Sequence, residues 1–192
     1  MSLKYNSPVI LTFAILCSAI YVIDESTPGN LMNLFSVGIS VDWTSPESVF
    51  NLVSHIFGHA GLDHLMGNMT FILLLGPIIE EKYGSRFTLF SILATGLITG
   101  LLNVAFFSTG LMGASGIVFM LILLVSFTNV SRGEIPLTFI LVALLFVGKE
   151  VLHSLKADQV SQFAHIIGGA CGSLFGFLGK DQSPSASTLD SY

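Results

Sequence analysis

Apolar residues along this chain gather into six long blocks, at 8–23, 62–79, 87–107, 113–130, 135–151 and 161–178. A helix needs roughly 17–25 apolar residues to cross the hydrocarbon of a bilayer. Each block therefore reads as one membrane-spanning helix, some of them at the short end. Between the first two lies a segment, 24–60, in which apolar and polar residues mix (NLMNLFSVGISVDW, then ESVFNLVSHIF). It reads as a loop lying on or partly in the outer leaflet, with Trp43 as an interfacial anchor. The first block follows Lys4 and could pass for a secretory signal sequence. No small-x-small cleavage site closes it and further spans succeed it, so it reads as a retained helix. The stretch DQSPSASTLDSY is polar and Ser-rich, the composition of a disordered tail. The pattern predicts an all-α bundle of six transmembrane helices over 1–180, then a polar tail over 181–192.

Composition agrees. The 192 residues are 52% hydrophobic and 10% charged, with a mean hydropathy of +0.81, where soluble domains carry about 25% charged residues. A net charge of −5 without any Lys/Arg cluster offers no nucleic-acid surface. Cys17 and Cys171 lie in apolar stretches, show no C-x-x-C spacing, and read as buried fillers. Loop charge sets orientation, because Lys and Arg concentrate on the cytoplasmic side. With the N-terminus inside, the inner segments hold Lys4, Lys82, Arg86, Arg132 and Lys180, and the outer ones only Lys149 and Lys156. Segment 24–60 holds Asp24, Glu25, Asp42 and Glu47 and no base. Both termini are thus expected in the cytoplasm, and spans 2, 4 and 6 run from the outer face inward.

Polar groups inside a membrane need a partner or a purpose. Span 2 opens HAGLDHLMGNM, with His59, His64 and Asn68 in its approach and first turns. Span 4 opens GASG around Ser115, and span 6 opens SQFAHIIGGACG around His165. At about 1.5 Å of rise per residue, Asn68, Ser115 and His165 each fall within roughly 10 Å of the outer interface. His64 and Asn68, four apart, share a helix face. Gly168, Gly172 and Gly176 repeat at the same spacing beyond His165, and Gly113, Ala114 and Gly116 surround Ser115. Such small surfaces let helix backbones approach closely. Taken singly, Ser115 reads as a packing residue, Asn68 as interhelical glue, and His55 and His59 as loop or interface residues. His153 reads as an outer-loop residue without chemistry. Their shared depth, reached by counting spans and charges, is what points to one site.

A serine hydroxyl becomes a nucleophile when a nearby base takes its proton, and His165 is the candidate base. No Asp or Glu lies in the apolar body of any span, and Asp158 is about two turns from His165. A Ser115–His165 dyad is expected rather than a triad. Unpaired N–H groups at the start of span 4 could face a developing oxyanion, with His64 and Asn68 as side-chain donors. Metal is the competing reading of the histidines. HIFGH (55–59) has i, i+4 spacing but lacks the glutamate of H-E-x-x-H. Neither metal nor cofactor is expected. The runner-up class is a transporter or channel using His64, Asn68 and His165 as a polar pathway. Such a pathway should continue inward, where spans 2, 4 and 6 carry few ionisable groups.

HAGLDHLMGN, GASG and AHIIGGACG, in that order across six spans with a long first outer loop, resemble the rhomboid intramembrane serine proteases, most closely the bacterial GlpG type. The resemblance covers nearly the whole chain, which looks like the family's minimal membrane core. It implies a cofactor-free endopeptidase in a bacterial plasma (inner) membrane, its active site opening toward the periplasm. The implied partners are the lipid bilayer and transmembrane-helix protein substrates; oligomeric state is left open. Ser115 would be the nucleophile and His165 the general base, then acid. The oxyanion hole would comprise His64, Asn68 and the Ser115 backbone amide. His59 would be structural, with Gly113, Gly116, Gly168 and Gly172 in support. The resemblance further implies a small residue before the scissile bond, and a gate and cap at span 5 and residues 152–160. Two positions depart. The usual tyrosine one turn after the serine is Phe119, which can pack on the histidine but not hydrogen-bond, and the usual Trp-Arg pair of the first loop is Trp43-Thr44. A non-catalytic relative that binds helices without cutting them is the other reading within the family, and the intact Ser115 and His165 argue against it.

Overall fold

The computed structural model describes residues 5–27, 29–126 and 159–179, together with Leu137, Ile140, Leu141, Leu144 and Leu145. Its main helices are α1 (Pro8–Ser26), α2 (Pro46–Ser54), α3 (Leu62–Tyr83), α4 (Ser85–Phe106), α5 (Ser115–Ser126) and α6 (Gln159–Gly179). Short 3-10 turns, Leu31–Phe35 and His55–Phe57, flank α2. The helices α1, α3 and α4 are long and apolar enough to cross a membrane, and α5 and the Ala164–Gly176 part of α6 are shorter apolar helices. Expected spans 1, 2 and 3 correspond to α1, α3 and α4 to within about a turn at either end. Spans 4 and 6 correspond to α5 and α6. Apart from its five named residues, span 5 lies outside the described residues, as do residues 152–158 and the tail from 180.

The bundle is built around α5. Its residues Gly116, Ile117, Val118 and Met120 through Leu124 are all buried, the mark of an apolar helix enclosed on every side. It packs against α3, α4 and, most extensively, α6. At the perimeter, α1 lies against α3 and α4. The outward faces carry exposed Leu16, Ile23, Leu74, Phe90 and Leu97, an apolar surface suited to lipid.

Two joints hold α1 and the outer segment. Ile10 occupies a notch at Gly76, where a Cβ would stand 2.5 Å from Ile10 Cδ1. One helical turn further on, Glu80 caps α1: the N–H groups of Val9 and Ile10 donate to its two carboxylate oxygens at 3.0 Å each, and Ser85 Oγ donates at 2.6 Å. Glu80 is buried. The sequence reading ended this span at residue 79 and so placed no carboxylate within it; α3 runs on to Tyr83 and takes Glu80 inside. Its charge faces the unpaired donors and positive dipole of a helix N-terminus.

The outer segment is folded down onto α4. A Cβ on Gly100 would collide with the Leu52 carbonyl, and one on Gly96 would stand 3.0 Å from Ile56 Cγ2. These two glycines open the slot into which α2 and the following turn sink. His55 enters it, 2% exposed, with Nε2 3.1 Å from Gly96 O. His59 is buried to the same degree. His55 is thus not the loop or interface residue read from sequence, because small residues on α4 leave room for it. His59 does lie in the loop before α3, as read, but is buried there. Along α4, Thr88, Ser91, Thr95, Thr99 and Asn103 recur every three or four residues and are all buried, a polar stripe turned inward.

Candidate active site

Ser115 is the first residue of α5, and the strand-like approach to it is tied to the outer segment. Val37 and Leu111 exchange both backbone hydrogen bonds, at 2.9 and 3.0 Å, and Gly113 N–H donates to His55 O at 2.9 Å. Ala114 O then accepts from Val118 N–H at 3.0 Å and starts the helix. Ser115, Gly116 and Ile117 therefore lead with N–H groups that have no partner one turn back.

Gly113 has φ 126°, a left-handed conformation that a glycine adopts without strain. Its missing side chain is equally required. A Cβ there would stand 2.6 Å from His64 Cε1, 2.7 Å from His64 Nε2 and 3.9 Å from Asn68 Nδ2. The glycine before Ser115 thus lies directly against the polar face of α3. Asn68 is buried, and its Nδ2 has no hydrogen-bond partner among the described residues. A buried donor without a partner calls for a specific explanation.

His165 approaches from α6. A Cβ on Gly168 would overlap the carbonyl of Gly116, and one on Gly172 the carbonyl of Met120. Ala164 O lies 3.4 Å from the Cβ position of Gly116. The two backbones therefore touch over the turns that carry Ser115 and His165. The Phe119 ring, one turn after Ser115, stacks on the His165 imidazole with centroids 4.2 Å apart and planes 6° apart. His64 and His165 lie within electrostatic reach of each other.

Beside His64 stands a second imidazole. The His59 and His64 rings have centroids 5.1 Å apart in an edge-on arrangement, and His59 Nδ1 lies 3.1 Å from Phe57 O. Burial, with the neighbouring His64 charge second, pushes His59 down to about 4. Burial alone pushes His55 down to about 4 against its Gly96 hydrogen bond. Both rings are thus neutral at ordinary pH. Among the described residues no three His, Cys, Asp or Glu side chains gather as a metal ion would require.

The structure thus gathers His59, His64, Asn68, Gly113, Ser115, Gly116, Phe119, His165 and Gly168 into one neighbourhood at one end of α3, α5 and α6. Asp158 and His153 lie outside the described residues. Sequence reasoning missed the inward role of His55 and the carboxylate cap at Glu80. The first had a signal in the glycine pair Gly96 and Gly100. The second had none, since its partners lie some 70 positions away. An arrangement with an alcohol, an imidazole and several N–H donors around one glycine has the parts for acyl transfer.

Residues 46–182, from the first residue of α2 to beyond α6, match the family model described as the rhomboid domain. Rhomboid-related protein 1 of Caenorhabditis elegans is 33% identical over 141 residues, which are 67% of this chain and 39% of that protein. The chain spans about two-fifths of that relative's length.

Proposed function

The chain belongs to the rhomboid family, and from that premise we propose that it is an intramembrane serine endopeptidase cutting the transmembrane helices of other proteins. Ser115 Oγ attacks the scissile carbonyl carbon while His165 takes its proton. The resulting oxyanion is held by the Ser115 N–H at the positive end of α5 and by His64 and Asn68 from α3. The intermediate collapses, His165 protonates the departing amine, and an acyl-enzyme on Ser115 remains. Water then attacks the ester, giving its proton to His165, and the acid product leaves with Ser115 restored. Phe119 holds the plane of the imidazole by stacking.

The observation that carries this reading is the contact of Gly116 with Gly168 alongside that of Gly113 with His64. Together they bring the turns bearing nucleophile, base and donors to one place. The reading includes both termini in the cytoplasm, a site opening toward the periplasmic side of a bacterial inner membrane, and a small substrate residue before the cleaved bond. It also assigns residues 135–151 to a lateral gate and 152–160 to a cap.

The test is a fluorophosphonate probe together with a single-span substrate, applied to purified protein. Labelling and cleavage are expected in the wild type and in Asp158→Ala, and neither in Ser115→Ala nor in His165→Ala. Cleavage surviving in Ser115→Ala at the wild-type rate would end the serine-protease reading.

A further inference from the structure

His59 makes a pairing that the reaction scheme above does not use. Its Nδ1 faces the Phe57 carbonyl at 3.1 Å. A carbonyl only accepts, so Nδ1 carries the hydrogen and Nε2 of the neutral ring carries a lone pair. That Nε2 is buried and has no hydrogen-bond partner among the described residues. The neighbouring ring is His64, edge-on with centroids 5.1 Å apart. The Cε1–Nε2 edge of His64 is turned to Gly113. In this geometry neither His64 nitrogen reaches hydrogen-bond distance of His59 Nε2, and the contact between the rings leaves only a small turn of the His64 ring for its Nδ1 to do so.

Resting on the protease reading, we propose that His59 is a positioning residue for His64: its Nε2 lone pair takes the Nδ1 hydrogen of His64 and so selects the tautomer presented to Gly113. The chemical consequence follows from counting hydrogens. A neutral His64 that donates through Nδ1 has a lone pair on Nε2, and a lone pair repels an oxyanion. One proton taken from water places a hydrogen on both nitrogens. His64 then donates to His59 and to the oxyanion at once, and the proton returns to solvent when the intermediate collapses. The histidine pair thus makes the oxyanion site more effective on the acid side. The groups facing His64 among the described residues are His59 from the preceding loop, His165 from α6 and, adjacent on α3, exposed Asp63. His165 must be neutral to act as a base, so its titration gives the rising limb of the rate profile and the His59–His64 pair the falling limb.

The experiment measures kcat and KM for a single-span substrate between about pH 5 and 9, with wild type, His59→Phe and His59→Gln. His59→Phe keeps a ring but has no lone pair, which frees His64 to carry its hydrogen on Nε2. Its kcat on the alkaline side, relative to the acid side, should rise by about 5-fold, the worth of one hydrogen bond, with KM unchanged. His59→Gln should restore the wild-type profile, since one amide can donate to Phe57 O and accept from His64. Profiles of identical shape in all three proteins, scaled by a common factor, would overturn the proposal. If His59→Phe does not fold, the ¹⁵N shifts of histidine-labelled wild type decide, with His64→Asn for assignment. An Nδ1–H tautomer at His64 supports the contact and an Nε2–H tautomer overturns it. Loss of every Ser115-dependent signal would instead remove the protease reading, and the tautomer measurement would still judge His59.

Discussion

Asn68 and His64 reach the site from one face of α3, and the amide nitrogen of Asn68 waits buried beside Gly113 without a partner among the described residues. If that amide donates to the oxyanion, Asn68→Ala should lower kcat by about 10²-fold or more while KM moves little, which steady-state kinetics on a single-span substrate will check. His55 makes a different kind of prediction. Burial holds its imidazole neutral down to about 4, whereas the unfolded residue titrates near 6.5. Between those values the unfolded chain binds more protons, so stability that is fully present above about 6.5 is lost as pH falls through 4. The thermal midpoint in detergent should decline across that window, and His55→Gln should flatten the decline. At this scale the sequence was legible where placement follows from spacing along one helix: His64 and Asn68, four apart, both lie beside Gly113. It was not legible for His55, whose burial depends on a slot in α4 more than 40 positions away.

At the scale of elements, the contact between α5 and α6 decides whether Ser115 and His165 can cooperate. Gly168 faces the Gly116 carbonyl with no space for a Cβ. Gly168→Val should push the helices apart, destabilise the protein by about 1–3 kcal/mol and remove fluorophosphonate labelling of Ser115 even where the protein remains folded. Labelling at the wild-type level in a folded Gly168→Val protein would show that the two helices need not touch there. This joint was readable beforehand because residues four apart share a helix face and small ones invite close packing. The joint between α1 and α3 was not. Glu80 stands beside Glu81 at the end of an apolar block and looks like a solvated helix end. Only the arrival of the α1 N-terminus makes it a buried cap.

For the whole molecule, the charge asymmetry of the loops argues that the segment 24–60 and the turn between α3 and α4 lie on opposite sides of the membrane. Glu47 and Glu81 are both exposed, and the native Cys17 and Cys171 are buried and free. Glu47→Cys should therefore react with a membrane-impermeant maleimide in intact spheroplasts, and Glu81→Cys only after the membrane is opened. The reverse pattern would invert the proposed orientation. The residues alone determined where the chain is apolar enough to enter lipid and which face of each helix is small or polar. These follow from local hydrophobicity and a 3.6-residue period. Which helices touch was decided by the folded chain: the outer segment sunk onto Gly96 and Gly100, α1 seated on Gly76 and Glu80, and His59 laid against His64. Such contacts join positions far apart in the chain, and they exist only where two backbones find room to meet.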